Sequence, residues 1–213
     1  MGRIFLLSDF HGEINFKGFN EYLEIANDDD LVIILGDVGL FYKEREDNDI
    51  FTQNFLSAKK NIAFIDGNHD NMDYLDSLPE IDFCGGKAGK LTDNIFHLKR
   101  GHIFNINGKS FFVFGGYKSS QRWKDLGLWY EREWPNEEEF AIAYKTLKEN
   151  DNKVDFVLTH RYQEVINPLD EIDELVKYID DNVDFKKWYS GHTHTIETLD
   201  DKHFRVYNEL TEV

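Results

Sequence analysis

The sequence predicts one α/β domain spanning residues 1–213, and three observations carry that prediction. Apolar runs alternate with amphipathic segments through the first third, the pattern of parallel strands joined by crossover helices. Further on, Asn107-Gly108 separates two short apolar runs, a two-residue hairpin signal that marks an antiparallel region. Most of the apolar runs also stop abruptly at a short polar block rich in Asp, Asn and His. Open α/β sheets place their ligands at such strand ends.

The elements follow in order. Residues 3–8 read as a buried strand, a short apolar run closed by a polar turn. Residues 16–25 carry Phe16, Phe19, Tyr22, Leu23 and Ile25 at helical spacing. Residues 31–35 form a second buried strand, 44–60 a helix with Ile50, Phe51, Phe55 and Leu56 near one face, and 61–65 a third strand. Residues 94–98, 102–106 and 110–114 read as short strands of a second, more antiparallel sheet. Asn136 caps a helix running to about residue 148, with Glu137 and Glu138 complementing its dipole and Glu139 completing a capping box. Residues 154–158 are another buried strand, 170–179 a helix with Ile172, Leu175, Val176 and Ile179 on one face, and 186–190 a last inner strand. A closing hairpin pairs 195–199 with 204–210 around Asp200-Asp201-Lys202. Residues 115–135 contain Tyr117, Trp123, Trp129, Tyr130 and Trp134. They read either as a loop packing its own aromatics or as a lid over a substrate.

Bulk composition narrows the function. With 24 Lys and Arg against 41 Asp and Glu, the formal charge is −17. Such a chain is repelled by nucleic acid and by anionic membranes, so neither is expected as a partner. A phosphate substrate stays open, because bound cations invert the local sign. Cys84 is the single cysteine, so no internal disulfide forms and a reducing compartment is expected. Ile4-Phe5-Leu6-Leu7 is too short for a secretion signal or a membrane span, which makes the cytoplasm the expected location. Oligomeric state is left open.

Five polar blocks close apolar runs: Asp9-Phe10-His11, Gly36-Asp37-Val38-Gly39, Gly67-Asn68-His69-Asp70, Thr159-His160 and Gly191-His192-Thr193-His194. Asp9 and His11 are two residues apart on an extended segment and can point the same way, as can His192 and His194. Asp37 lies between glycines that let the backbone approach a crowded centre, so its carboxylate could bridge two metals. Asn68 offers a neutral carbonyl oxygen. An isolated Asp-x-His is more often a turn, and a lone His160 more often a satisfied histidine. Five blocks that each end a strand and each supply metal-competent groups are the ligand set for two adjacent divalent metals plus one spare imidazole.

In this order, Asp9-x-His11, Gly36-Asp37, Gly67-Asn68-His69-Asp70, His160 and Gly191-His192-x-His194 resemble the calcineurin-like metallophosphoesterases over residues 4–210. The resemblance implies a four-layer α-β-β-α sandwich of two mixed β-sheets flanked by helices, with a dinuclear metal site at the C-terminal ends of strands. It assigns Asp9, His11, Asp37 and His194 to one metal and Asp37, Asn68, His160 and His192 to the other, with Asp37 bridging. Manganese is the first expectation, with iron, zinc or nickel as alternatives. His69 is left as a catalytic imidazole near the leaving group. Gly115-Gly116, Arg122 and Trp134-Pro135 also resemble a pattern of small bacterial and phage members, which brings no settled substrate.

Two departures separate the chain from the family's protein phosphatases. Those continue Gly-Asp-x with Val-Asp-Arg-Gly, whereas this chain has Gly36-Asp37-Val38-Gly39-Leu40. The Asp that would orient the catalytic histidine and a phosphate-binding Arg are both missing. Asp70 stands where they have Glu. The expected activity is therefore hydrolysis of a small phosphodiester or phosphomonoester, by in-line attack of a hydroxide held between the metals. In that reaction His69 stabilises or protonates the leaving oxygen. Arg161 and Arg122, and less so Lys118, are candidate phosphate-binding residues, against the plainer reading of surface cations paired with carboxylates. His97, His102 and His203 read as structural or surface residues. The alternatives are a nuclease of the same superfamily, disfavoured by the charge, and a catalytically silent metal-binding scaffold.

Overall fold

The computed structural model describes residues 2–13, 15–42 and 50–213. Two mixed sheets face each other. The first has seven strands in the order β13-β1-β2-β3-β6-β5-β4, where β1 is Ile4–Leu7, β2 Leu31–Leu35, β3 Asn61–Ile65, β4 Glu80–Phe83, β5 Gly86–Lys90, β6 Ile95–Leu98 and β13 Thr211–Glu212. The second has six in the order β11-β12-β10-β9-β8-β7, where β7 is Ile103–Ile106, β8 Lys109–Phe114, β9 Phe156–Thr159, β10 Lys187–Ser190, β11 Glu197–Thr198 and β12 His203–Arg205. Helices α1 (Lys17–Ile25), α2 (Ile50–Ser57) and α3 (Met72–Ser77) cover the outer face of the first sheet. Helices α5 (Glu137–Glu149) and α6 (Glu171–Asn182) cover the second, and the short α4 (Gln121–Asp125) lies in the segment before α5.

Period-two alternation explains why the inner strands read as unbroken apolar runs. On β1 and β2, Phe5, Leu7, Val32 and Ile34 pack against the helices, while Ile4, Leu6, Leu31, Ile33 and Leu35 enter the layer between the sheets. Both faces are covered, so no position needs to be polar. On β8, Phe111 and Val113 face the inter-sheet layer, and Phe112 and Phe114 face α5 and α6. Strands β1, β2 and β3 are mutually parallel, as are β8, β9, β10 and β12. The C-terminal ends of β1–β3 and of β9 and β10 meet at one rim, which positions the site.

Several expected elements take the form their residues dictate. Asn136 and Glu139 form a reciprocal capping box, and Asp170 caps α6 by accepting from Asp173 N–H. Asn107 and Gly108 both have positive φ, as a type I′ hairpin requires. The expected helix over 44–60 is seen from Ile50 to Ser57, and its first part lies outside the described residues. Helix α3, the β4–β5 hairpin turning at Cys84-Gly85 and the edge strand β13 were not expected, and residues 94–98, expected in the second sheet, form β6 of the first, parallel to β3. Residues 115–135 hold α4 and a 3-10 turn at Glu131–Glu133 rather than open loop. Among the described residues, no helix is long and apolar enough to cross a membrane.

Candidate metal centre

All five blocks arrive at the shared rim. Asp9 and His11 follow β1, Asp37 follows β2, Asn68 and His69 follow β3, His160 follows β9, and His192 and His194 follow β10. Backbone bonds tie the loops together: Asp9 N–H donates to Gly36 O at 3.0 Å, His11 N–H to Asp37 O at 2.8 Å, and Gly191 N–H to His160 O at 2.9 Å. The two sheets are joined where His192 N–H donates to Asp9 Oδ2 at 2.8 Å. Asp70 organises three turns at once, accepting from the backbone N–H groups of Asp37, Gly39 and Gly67 at 2.8–2.9 Å. Gly67 is required by space, since a Cβ there would collide with the Asp37 carboxylate. Asp9, His11, Asp37, His192 and His194 all adopt positive φ, from 46° to 68°. Left-handed backbone at non-glycine residues is costly, and its concentration on these side chains marks a functional site.

Two groups of ligand atoms result, each within 4.8 Å internally: Asp9, His11 and His194, and Asp37, His160 and His192. Asp37 Oδ1 accepts from His69 N–H at 2.7 Å, while Oδ2 lies 3.6 Å from His11 Nε2 and 3.5 Å from His160 Nε2. One oxygen thus reaches both groups, as a bridging carboxylate must. Asn68 Oδ1 is 3.3 Å from His160 Nε2.

His160 Nδ1 sits 2.8 Å from Leu35 O, and a carbonyl can only accept, so the ring proton is on Nδ1. His160 Nε2 therefore presents a lone pair. Asn68 donates through Nδ2 to Ser119 Oγ at 3.4 Å, which turns its carbonyl oxygen toward the same point. Lone pairs from His160, Asn68 and Asp37 converge with no hydrogen among the three, and His192 Nδ1 stands 3.2 Å from His160 Nε2. In the other group, Asp9 Oδ1 is buried without a hydrogen-bond partner among the described residues, 3.6 Å from His194 Nε2, and His11 and His194 bring their Nε2 atoms to 2.9 Å. Convergent lone pairs and an orphaned carboxylate oxygen fit a divalent cation in each group, and the N/O donor set suits a first-row transition metal.

The electrostatics agree. Burial raises the Asp9 carboxyl to about 7 and the Asp70 carboxyl to about 6. Burial, then the nearby Asp9 and Asp70 charges, drives Asp37 well above its usual range. Burial lowers His160 to about 4 and His192 to about 3. Buried carboxylates that resist ionisation and imidazoles that resist protonation are ready to ligate a cation, which reverses the carboxylate shifts.

His69 stands beside the two groups. Its ring meets those of His11, Tyr42 and Trp123 edge-on at centroid distances of 5.2, 5.5 and 4.9 Å. Burial, then His194, lowers it to about 4, so around pH 7 the ring is neutral. It opens onto a cleft of about 460 Å³ bordered by Asn68, Tyr117, Ser119, Trp123, Arg161 and His192. Arg161 reaches this cleft, stacked over Tyr117 at 4.1 Å and donating to Gln163. Lys118 also borders it, held 3.5 Å from Asp170 and 3.7 Å over Trp134. Arg122 is not brought there: it lies exposed on α4, where the neighbouring Trp123 takes the inward place. The aromatic segment packs Tyr130 against Tyr42 and lines the cleft with Trp123.

Four contributors escape sequence reasoning: Asp70, Tyr42, Ser119 and Glu133. Glu133 is buried and accepts from Ser119 N–H and Oγ–H, both at 2.6 Å, so Ser119 accepts from Asn68. Only Asp70 had a signal, as the last residue of the Gly67-Asn68-His69-Asp70 block. His97 and His203 pair with Asp66 and with Asp180 and Asp200, away from the site, as structural residues do.

Convergent His, Asp and Asn donors at parallel strand ends, opening on a cleft, define a metal-dependent hydrolytic site. The chain belongs to the calcineurin-like phosphoesterase family, whose model matches residues 2–195. Among curated proteins, none matches it.

Proposed function

We propose that this protein hydrolyses a small phosphodiester or phosphomonoester with two divalent cations, manganese first, held at Asp9, His11, Asp37 and His194 and at Asp37, Asn68, His160 and His192. The observation that carries this reading is the position of Asp37 Oδ2 within 3.6 Å of an imidazole nitrogen from each ligand group. When bound, such a metal pair lowers the pKa of a coordinated water and offsets charge on the phosphoryl oxygens. The chain supplies the rest. Asp37 and Asn68 fix the spacing of the two groups. Trp123 and Tyr117 shape the cleft and restrict water, and Arg161 offers a positive charge to the substrate phosphate. His69, neutral when the cleft is empty, gains basicity as an anionic phosphate enters beside it. It then holds a proton on the ring for the leaving oxygen.

The cleft suits a small ester, and the charge of −17 opposes a nucleic-acid strand. The single cysteine, with its thiol in no disulfide, suits the reducing cytoplasm. The test compares bis(p-nitrophenyl) phosphate with p-nitrophenyl phosphate, with Mn²⁺ added and then chelated. Chelator-sensitive turnover of either ester supports the reading. Silence on both at full metal occupancy overturns it in favour of a scaffold. His69→Ala is expected to cut turnover by about 10²–10⁴-fold with metal content unchanged, checked by steady-state kinetics and elemental analysis.

A further inference from the structure

In this chain the residues that could orient His69 from the Asp37 loop are Val38, Gly39 and Leu40, none of which has a polar side chain. Asp70 is close in sequence, but its carboxylate is occupied by three backbone N–H groups. Among the described residues, the side chain that meets the His69 ring with a hydrogen bond is Tyr42, whose Oη lies 3.1 Å from Nδ1. The same oxygen lies 2.7 Å from the Leu128 carbonyl.

These two distances fix the direction of both bonds. A phenol has one hydrogen, and a backbone carbonyl can only accept. The Tyr42 hydrogen therefore goes to Leu128, and Oη accepts from His69 Nδ1–H. Nε2 is left as the nitrogen that exchanges a proton with substrate. Tyr42 is itself immobilised. It is buried, its ring packs on Tyr130 at 5.8 Å, and the Phe41 carbonyl before it accepts from Asn71 Nδ2 at 2.6 Å. Burial, then the charges of Glu133 and Asp37, raises the phenol above its usual range, so it stays a neutral relay.

We infer that Tyr42 is the positioning residue of His69, holding it as the Nδ1–H tautomer through a relay anchored on the Leu128 backbone. The inference rests on the reading of His69 as the group that serves the leaving oxygen. Orientation then comes from a neutral hydroxyl fastened to the aromatic segment. That segment acts on the chemistry from behind the imidazole, besides walling the cleft. Tyr42→Phe keeps the ring packing and removes only the relay.

The expected result for Tyr42→Phe is two metals bound, KM little changed, and kcat lowered roughly 10–100-fold for esters with poor leaving groups such as phenol. For p-nitrophenyl esters, whose leaving group needs little protonation, the loss should be much smaller. In a His69→Ala background, Tyr42→Phe should add nothing. ¹⁵N NMR of the His69 ring should show the Nδ1–H form in the parent and a redistributed tautomer in the variant. Equal losses across leaving groups, or full additivity with His69→Ala, would overturn the inference. If His69→Ala itself leaves turnover intact, it is the parent reading that fails, and the NMR tautomer still decides the orientation.

Discussion

Two buried polar clusters lie within a few residues of each other after β3, and they are built on opposite principles. In the first, Asp66 accepts from Arg100 Nε and Nη2 and from His97, and Arg100 continues to Glu139, which also binds Arg132. Opposite charges alternate, and both Asp66 oxygens have partners. Burial alone would raise Asp66, but Arg100 and His97 outweigh it and hold the carboxyl far below its usual range. The second cluster begins with Asn68. There carboxylates crowd one another, imidazole nitrogens face each other, and Asp9 Oδ1 has no hydrogen-bond partner among the described residues. The charges of the first cluster are paired as folded, and they fasten β3, the aromatic segment and α5 together. The second is complete only with cations, and its unmet demand is what makes it a site.

The largest expected effects separate the clusters by substitution. Asp37→Asn keeps the shape and the acceptor for His69 N–H but removes the shared charge. It should lose bound metal and turnover on the order of 10³-fold, while the metal-free protein melts no earlier than the parent. Asp66→Ala should do the reverse. Leaving Arg100 buried without its partner costs about 3–5 kcal/mol, read as a lowered denaturation midpoint, with metal stoichiometry kept in the folded fraction. Equal destabilisation by both variants would erase the distinction.

A smaller effect lies in the pH dependence of the metal-free protein. Asp9 and Asp70 have folded values of about 7 and about 6, above the ordinary 3.8, so their contribution is present below pH 4 and lost as pH rises toward 7. Asp30, which Arg3 holds at about 2 through a side-chain hydrogen bond, contributes above pH 4 and loses it as pH falls through 2. Asp66 adds in the same direction as Asp30. Thermal melts should therefore show a maximum near pH 4. Mn²⁺ at about 100 times its dissociation constant should restore roughly 2.7 kcal/mol per occupied site at neutral pH. A neutral-pH melting temperature indifferent to Mn²⁺ would count against cation demand as the source of the shift.

The charge-paired cluster was invisible in the sequence, whereas the metal-ligating one was legible. Its residues end strands that are covered on both faces, so each block stands out against an unbroken apolar run. Asp66, Arg100 and Glu139 sit among ordinary charges, and only the fold brings them together. Tyr42 is likewise 86 residues from the carbonyl that fixes its role. The β4–β5 hairpin was missed because β5 reads Gly-Lys-Ala-Gly-Lys, a run without β-branched or aromatic residues. Its pairing comes from neighbouring strands, not from its own propensity.

Each ligand group also joins distant parts of the chain. Asp9 and His11 meet His194, and Asp37 meets His160 and His192. During synthesis the first three strands emerge with their carboxylates long before the histidines that complete them. A growing chain that has not reached residue 192 therefore offers neither full group. Selection of the cation falls to the finished sandwich, after the chain has closed on itself, and not to the order in which metals meet the nascent polypeptide.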